Sequence, residues 1–354
     1  MFHTGGISWV SGRMAVFSFY SISGYLIFRV LDTSYMKDIR HVGYFYLNRF
    51  LRLMPLYAVV SILTYWFLVA RGGSGFLIDP NDPPYNFITT PVLDVPRIKL
   101  IISEITFGIK CVLQPIPTIS FFPNLIPQGW SIGIELCFYT IAPIMVFLCR
   151  KHILLIIPIF FVSLALFIYG IVISTDYSFV EKNVYKNSLA SMFVFLSGGV
   201  MYFVSKRITW RLNFECLLLI LAAWAYYVWF FSASPVLGAR EPNGGILAIN
   251  LFFTLPITCL VVFSNMPSRF RRYDNMIGNL SYGIYLNQFL VGYLLLFANE
   301  KVFNSFGEFQ YFGRLNTERF GIAAVVLSVT LAAILYRYIE SPVDRLRKKI
   351  KTTR

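Results

Sequence analysis

Nine apolar stretches, each long enough to cross a bilayer as a helix, recur along this chain and restrict its folding more than any other feature. A hydrocarbon core about 30 Å thick takes roughly 20 helical residues. Inside it every backbone N–H and C=O must find a partner within the protein, which leaves helix bundles and closed barrels. The stretches fall at about 9–31, 50–70, 130–149, 152–173, 188–205, 213–232, 246–264, 281–298 and 320–338. A further run at 98–113 is helical in pattern, but it is short and interrupted by Glu104 and Lys110, which suits an interfacial or re-entrant position. The expectation is an all-α, polytopic membrane bundle of about nine spans plus that short helix. Only 14% of the residues are charged, where soluble domains carry about 25%.

The formal net charge of +14 does not point to nucleic acid, because Lys and Arg lie in short clusters between apolar runs. Positive-inside topology accounts for them. If 98–113 does not cross, one side of the membrane collects Arg40/Arg49/Arg52, Arg150/Lys151, Lys206/Arg207/Arg211, Arg269/Arg271/Arg272 and Arg345/Arg347/Lys348/Lys349. The C-terminus is then cytoplasmic and the chain starts outside, an arrangement that a missing N-terminal helix would explain. Met1 to Gly6 do not resemble a signal peptide. Residues 71–129, with Gly72, Gly73 and Gly75 and then Pro80, Pro83, Pro84, Pro91 and Pro96, make a long irregular connection, a length that favours a functional role. Cys137, Cys149, Cys216 and Cys259 lie in or beside apolar runs without metal-ligand spacing, as small hydrophobes do. No internal repeat marks the halves of a coupled transporter.

Glu135 interrupts the apolar run at 130–149. A carboxylate in the hydrocarbon region costs a few kcal/mol and usually faces a cavity, a partner or a substrate path. At helical spacing Ser131, Glu135 and Tyr139 share one face. The residues alone leave open a functional site and a buried structural pair. Arg49 and Arg52, one turn apart at the mouth of the second span, suit an anionic ligand through their forked donors, and equally suit simple orientation. Trp130 fits a substrate path or an interfacial anchor, and Ser23 beside Gly24 fits close helix packing.

Four blocks in order resemble the bacterial acyltransferase family 3 membrane O-acyltransferases. They are Ala15 to Ile27, with its Ser23-Gly24-Tyr25-Leu26-Ile27 end, the Tyr46 to Tyr57 run with Arg49, Arg52 and Pro55, Trp130-Ser131 through Glu135 to Phe138-Tyr139, and the pair Leu280 to Leu286 and Tyr336 to Pro342. The resemblance implies transfer of an acyl group, most often acetyl, from acyl-CoA to a hydroxyl of a cell-surface glycan or lipid-linked glycan precursor at the cytoplasmic membrane. His3 occupies the position of the family's catalytic His, although the Arg that normally precedes it, with most of that helix, is absent. Gln288 stands where relatives often carry a His, and an amide moves no proton.

The implied roles are His3 as base with Glu135 as its partner, Arg49 and Arg52 for the donor, and Trp130, Ser131, Tyr139 and Ser23 along the acceptor path. His3 and Glu135 are expected toward the outer end of a polar channel, and Arg49 and Arg52 toward the inner end. No metal and no tightly bound cofactor is expected, with acyl-CoA as co-substrate and the bilayer and glycan as partners. Residues 1–344 form the membrane domain, truncated at its start, and 345–354 a basic cytoplasmic tail. A flippase without chemistry and an inactive remnant are the alternatives.

Overall fold

The computed structural model describes residues 12–36, 39–70, 77–78, 87–88, 126, 128–173, 184–208, 210–233, 251, 255–256, 258, 260–264, 267–304 and 317–352. His3, the 98–113 run and much of the 246–264 stretch lie outside them. The longer helices are α1 (Gly12–Val30), α2 (Ile39–Ala70), α3 (Gly129–Lys151), α4 (Ile157–Val172), α5 (Ser188–Ser205), α6 (Phe214–Ala233), α7 (Arg271–Asn304), α8 (Thr317–Leu335) and α9 (Ser341–Thr352). One π-helical turn, Leu31–Tyr35, extends α1, and a second, Tyr336–Glu340, joins α8 to α9. The described strands are β1 (Leu77–Ile78) and β2 (Phe87–Ile88), a two-residue antiparallel ribbon.

Among the described residues, six helical segments are long and apolar enough to cross a membrane: Ala15–Tyr35, His41–Ala70, Gly129–Lys151, Ile153–Val172, Ser188–Ser205 and Gly321–Lys349. The protein is thus a helical, multi-pass membrane protein. The stretches expected at 213–232 and 281–298 are helical within α6 and α7. The second span starts well before the expected position. Its helix begins at Ile39, so Arg49 and Arg52 sit in the helix interior instead of at its mouth.

Helix α1 packs most extensively on α5, and the contact is backbone to backbone. A Cβ placed on Gly24 would lie 2.0 Å from the carbonyl oxygen of Phe195, and one on Gly198 would lie 1.8 Å from that of Ser21. Only glycine permits this approach. In lipid, where apolar burial between helices gains little, such close van der Waals contact is the main source of association. The approach also wedges the Phe195 ring between Tyr20 of α1 and Phe138 of α3, each stacked at 4.4 Å between centroids. From the other flank, the Ser163 hydroxyl of α4 enters the α5 hydrogen-bond ladder. It donates to the carbonyl of Leu189 at 2.6 Å and accepts from the N–H of Phe193 at 2.8 Å.

At one end of the bundle a single carboxylate ties three helices. Asp32, in the first π turn, accepts from Arg150 Nε of α3 at 2.6 Å, from the Tyr202 hydroxyl of α5 at 2.7 Å, and from Lys206. Arg150 also donates to the carbonyls of Asp32 and Met36, closing the end of α1. Tyr35 of the same turn accepts from Asn48 Nδ2 of α2 at 3.1 Å, and Asn48 Oδ1 accepts from Arg347 Nε of α9 at 2.8 Å. Basic clusters far apart in sequence therefore converge on one end through a chain of hydrogen bonds. The segment 345–352, expected as a tail, belongs to helix α9.

Three outcomes follow for stability. Gly198→Val forces a methyl-bearing carbon against the Ser21 carbonyl and should cost about 2–3 kcal/mol, or prevent folding. Thermal unfolding in detergent measures it, and an unchanged midpoint would refute the close crossing. Asp32→Ala should cost about 1–3 kcal/mol, because Arg150 and Lys206 are exposed enough to regain part of their hydration. Lys206→Met alone should cost less, about 0–1 kcal/mol, since it leaves Arg150 in place.

Candidate functional site

The buried carboxylate of Glu135 lies where α1 and α3 face each other, 2% exposed. Its Oε1 accepts hydrogen bonds from Ser23 Oγ of α1 at 2.8 Å and from the Tyr139 hydroxyl one turn along α3. Its Oε2 is equally buried and has no hydrogen-bond partner among the described residues. Buried polar atoms are nearly always satisfied, so an open carboxylate oxygen marks a place for a further donor.

Arg49 of α2 reaches the same cluster. Its guanidinium carbon lies 5.5 Å from the Phe45 ring centroid and 5.6 Å from that of Tyr139, a cation between two π faces. Glu135 feels the charges of both Arg52 and Arg49, although neither closes to an ion pair with it. Arg49 and the carboxylate, expected at opposite ends of a channel, thus share one cluster that bridges α1, α2 and α3, while Arg52, one turn along α2, is exposed.

The rest of the expected acceptor path divides. Ser131 is buried on the same face but turns to α7, where its hydroxyl meets the Tyr285 hydroxyl at 2.6 Å. Gln128 reinforces that junction by donating to the carbonyls of Tyr285 and Leu286 at 2.8 and 2.9 Å. Trp130 faces away from Glu135. Its ring sits 4.7 Å from Tyr185 and under the Lys186 ammonium at 5.9 Å. Ser23 and Tyr139 meet Glu135 directly, and His3 lies outside the described residues.

Arg52 also lines a cavity of about 90 Å³ between α2, α7, the second π turn and α9. At ~10–15 Å³ per water it holds several waters, hence one phosphate-sized group or a short chain, and not a nucleotide. Its charged walls are Arg52, Glu340, Asp344 and Arg347, with Asn279, Tyr282 and Tyr336 as neutral polar neighbours. Pro55 also lines it, and as a helix-interior proline it leaves the carbonyl of Leu51, another wall residue, without a helical donor. The sequence had pointed to Arg52 alone of these. Glu340 belongs to a recognised block without an assigned role, and Arg347 was grouped with orientation charges. Only the π turn and the fold of α9 turn them toward Arg52.

Ser23, Glu135, Tyr139 and Arg49 in one buried cluster, with the exposed Arg52 on a neighbouring polar cavity, can hold polar and anionic groups close together. Among the described residues no group of His, Cys, Asp and Glu is arranged to hold a metal. No curated protein and no solved structure matches the chain. A family model described as an acyltransferase domain matches residues 1–337, nearly the whole length. The chain belongs to that acyltransferase family, the acyltransferase 3 family.

Proposed function

We propose that this protein is an O-acyltransferase of the bacterial cytoplasmic membrane, moving an acyl group, most often acetyl, from acyl-CoA to a hydroxyl of a cell-surface glycan or its lipid-linked precursor. The observation that carries the proposal is the buried Glu135 carboxylate, held by Ser23 and Tyr139 through one oxygen, with the Arg49 guanidinium over the Tyr139 ring. A donor bound by Arg52 and Arg49 then delivers its thioester toward a carboxylate that still lacks a partner for one oxygen. The convergence of basic clusters on one end supports an orientation with that end, and the C-terminus, in the cytoplasm.

In the reaction the acceptor hydroxyl loses its proton as its oxygen attacks the thioester carbonyl. The C–S bond breaks and the thiolate takes up a proton. His3 is the proposed base, and an imidazole suits proton transfer near neutral pH. Glu135 is its proposed partner, held in place by Ser23 and Tyr139. Ser23 therefore acts through Glu135, to which its hydroxyl donates, and not as the nucleophile.

The test is acetyl incorporation into surface polysaccharide, with release of free thiol from acetyl-CoA in membranes. Glu135→Gln keeps the acceptor oxygen for Ser23 and Tyr139 but removes the charge, and should lower kcat about 10²–10⁴-fold while the protein still folds. His3→Ala should lose a comparable factor, and Arg52→Gln should chiefly raise KM for the donor. Undiminished transfer by Glu135→Gln and His3→Ala would overturn the assignment of these two residues.

A further inference from the structure

The basic residues of this chain are engaged in different ways. Arg150 and Lys206 are tied to Asp32, Arg211 donates to the carbonyls of Ile208 and Trp210, and Arg49 is buried over two aromatic rings. Arg271 and Arg272, both exposed, share the first turn of α7 with Asp274. Helix α9 differs from these. Its one acid, Asp344, pairs with Arg347, and both line the cavity beside α2 together with Val343. Arg347 Nε also donates to Asn48 of α2 at 2.8 Å, which fixes the rotation of α9 about its axis.

At about 100° per residue, Leu346, Lys349, Arg345 and Lys348 then follow one another around the opposite side of the helix, and all four are exposed. Three cations form one arc, with a leucine 55% exposed at its edge. Membrane orientation asks only that Lys and Arg follow the span. It requires neither a shared face nor an apolar edge.

This face also lies at the depth of the lipid headgroups. Gly321–Lys349 is one helical segment of 29 residues, and the residues flanking its π turn, Leu335 and Ser341, keep the α-helical conformation. At 1.5 Å per residue it is about 43 Å long, roughly 13 Å more than a hydrocarbon core of about 30 Å. The hydrogen bonds of Arg347 decide at which end the excess lies. Asn48, which accepts from Arg347, is anchored on Tyr35 in the turn that carries Asp32, and Asp32 ties Arg150 and Lys206 at the ends of α3 and α5. Helix α9 therefore stands at the basic end of the bundle. Tyr338, 71% exposed with the Arg337 guanidinium carbon 6.0 Å from its ring centroid, marks the boundary just before it, as amphipathic rings do at membrane interfaces.

We propose that the outer face of α9 binds the headgroup of an anionic phospholipid, with Arg345, Lys348 and Lys349 around its phosphate and Leu346 against the first carbons of its acyl chain. Cations at this depth favour acidic lipids over zwitterionic ones, and the apolar edge selects a lipid over a soluble anion. Because the inner face of the same helix is bonded to α2 through Asn48, the bound lipid holds α9 against the bundle. The inference goes beyond acyl transfer and does not depend on it.

The experiment presents the full chain, purified in a neutral detergent, with equimolar phosphatidylglycerol and phosphatidylcholine, and counts the retained lipids by native mass spectrometry. The unaltered chain should retain phosphatidylglycerol at least about tenfold over phosphatidylcholine, and added salt should weaken that preference. Lys349→Gln should lower it about fivefold, and the triple variant Arg345→Gln/Lys348→Gln/Lys349→Gln should remove it. Arg271→Gln/Arg272→Gln takes two exposed cations from α7 and should leave it unchanged. The site is overturned if the unaltered chain shows no preference, if the triple variant keeps it, or if the α7 variant loses as much per cation, which would make the effect one of overall charge. Displacement of phosphatidylglycerol by excess inorganic phosphate would identify a site for a free anion and would equally overturn the lipid. Should the triple variant fail to fold, Lys349→Gln decides alone, and an unchanged preference overturns the site.

Discussion

The backbone contact between α1 and α5 governs the rest of the bundle. Gly24 and Gly198 remove the side chains that would hold the two helices apart, and the distances of 2.0 and 1.8 Å for a hypothetical Cβ leave no alternative residue. Once α5 lies that close, the Phe195 ring has space only between Tyr20 and Phe138, which draws α3 against α1. Ser23, the residue before Gly24, then meets Glu135 at 2.8 Å. The hydrogen bond that holds the buried carboxylate is thus a consequence of helix packing and not an independent element of the fold.

Charge is handled differently at two places in the molecule. At the end of the bundle, Asp32 is fully used, with partners on α3 and α5 and with Tyr35 of its own turn continuing the network to α2 and α9. Such a network ties helix ends, and its cations remain partly exposed. At Glu135, by contrast, a buried carboxylate oxygen has no hydrogen-bond partner among the described residues. A structural ion network satisfies its own groups, whereas a site that awaits a ligand leaves some open. This contrast separates the Asp32 cluster from the residues proposed to act on substrates.

Both π-helical turns adjoin the cavity and its supports. An inserted residue in a helix shifts every later side chain around the axis, and such turns are frequent at functional positions. The first, Leu31–Tyr35, presents Tyr35 to Asn48, and the second, Tyr336–Glu340, presents Tyr336 and Glu340 to the space beside Arg52. A regular helical period projected through 336–349 would have assigned these side chains to other faces. In the sequence Arg347 reads as one of a run of orientation charges because Arg345, Lys348 and Lys349 surround it.

The helical membrane class and the costly carboxylate of Glu135 were legible in the sequence alone, as properties of apolar length and of a charge in apolar surroundings. The family, and with it the interest of Ser23, Arg49 and Tyr139, came from the resemblance of its sequence blocks. Tertiary structure alone decided that Arg49 and Arg52 lie inside α2, that Arg49 shares a cluster with Glu135, that Ser131 turns to Tyr285 and Trp130 to Tyr185, and that Arg347 lines the same cavity as Arg52. Those outcomes depend on which helices approach closely and on the two π turns that rotate the chain between them. Neither is encoded in the period of any one segment, because each arises from contacts between residues far apart in the chain.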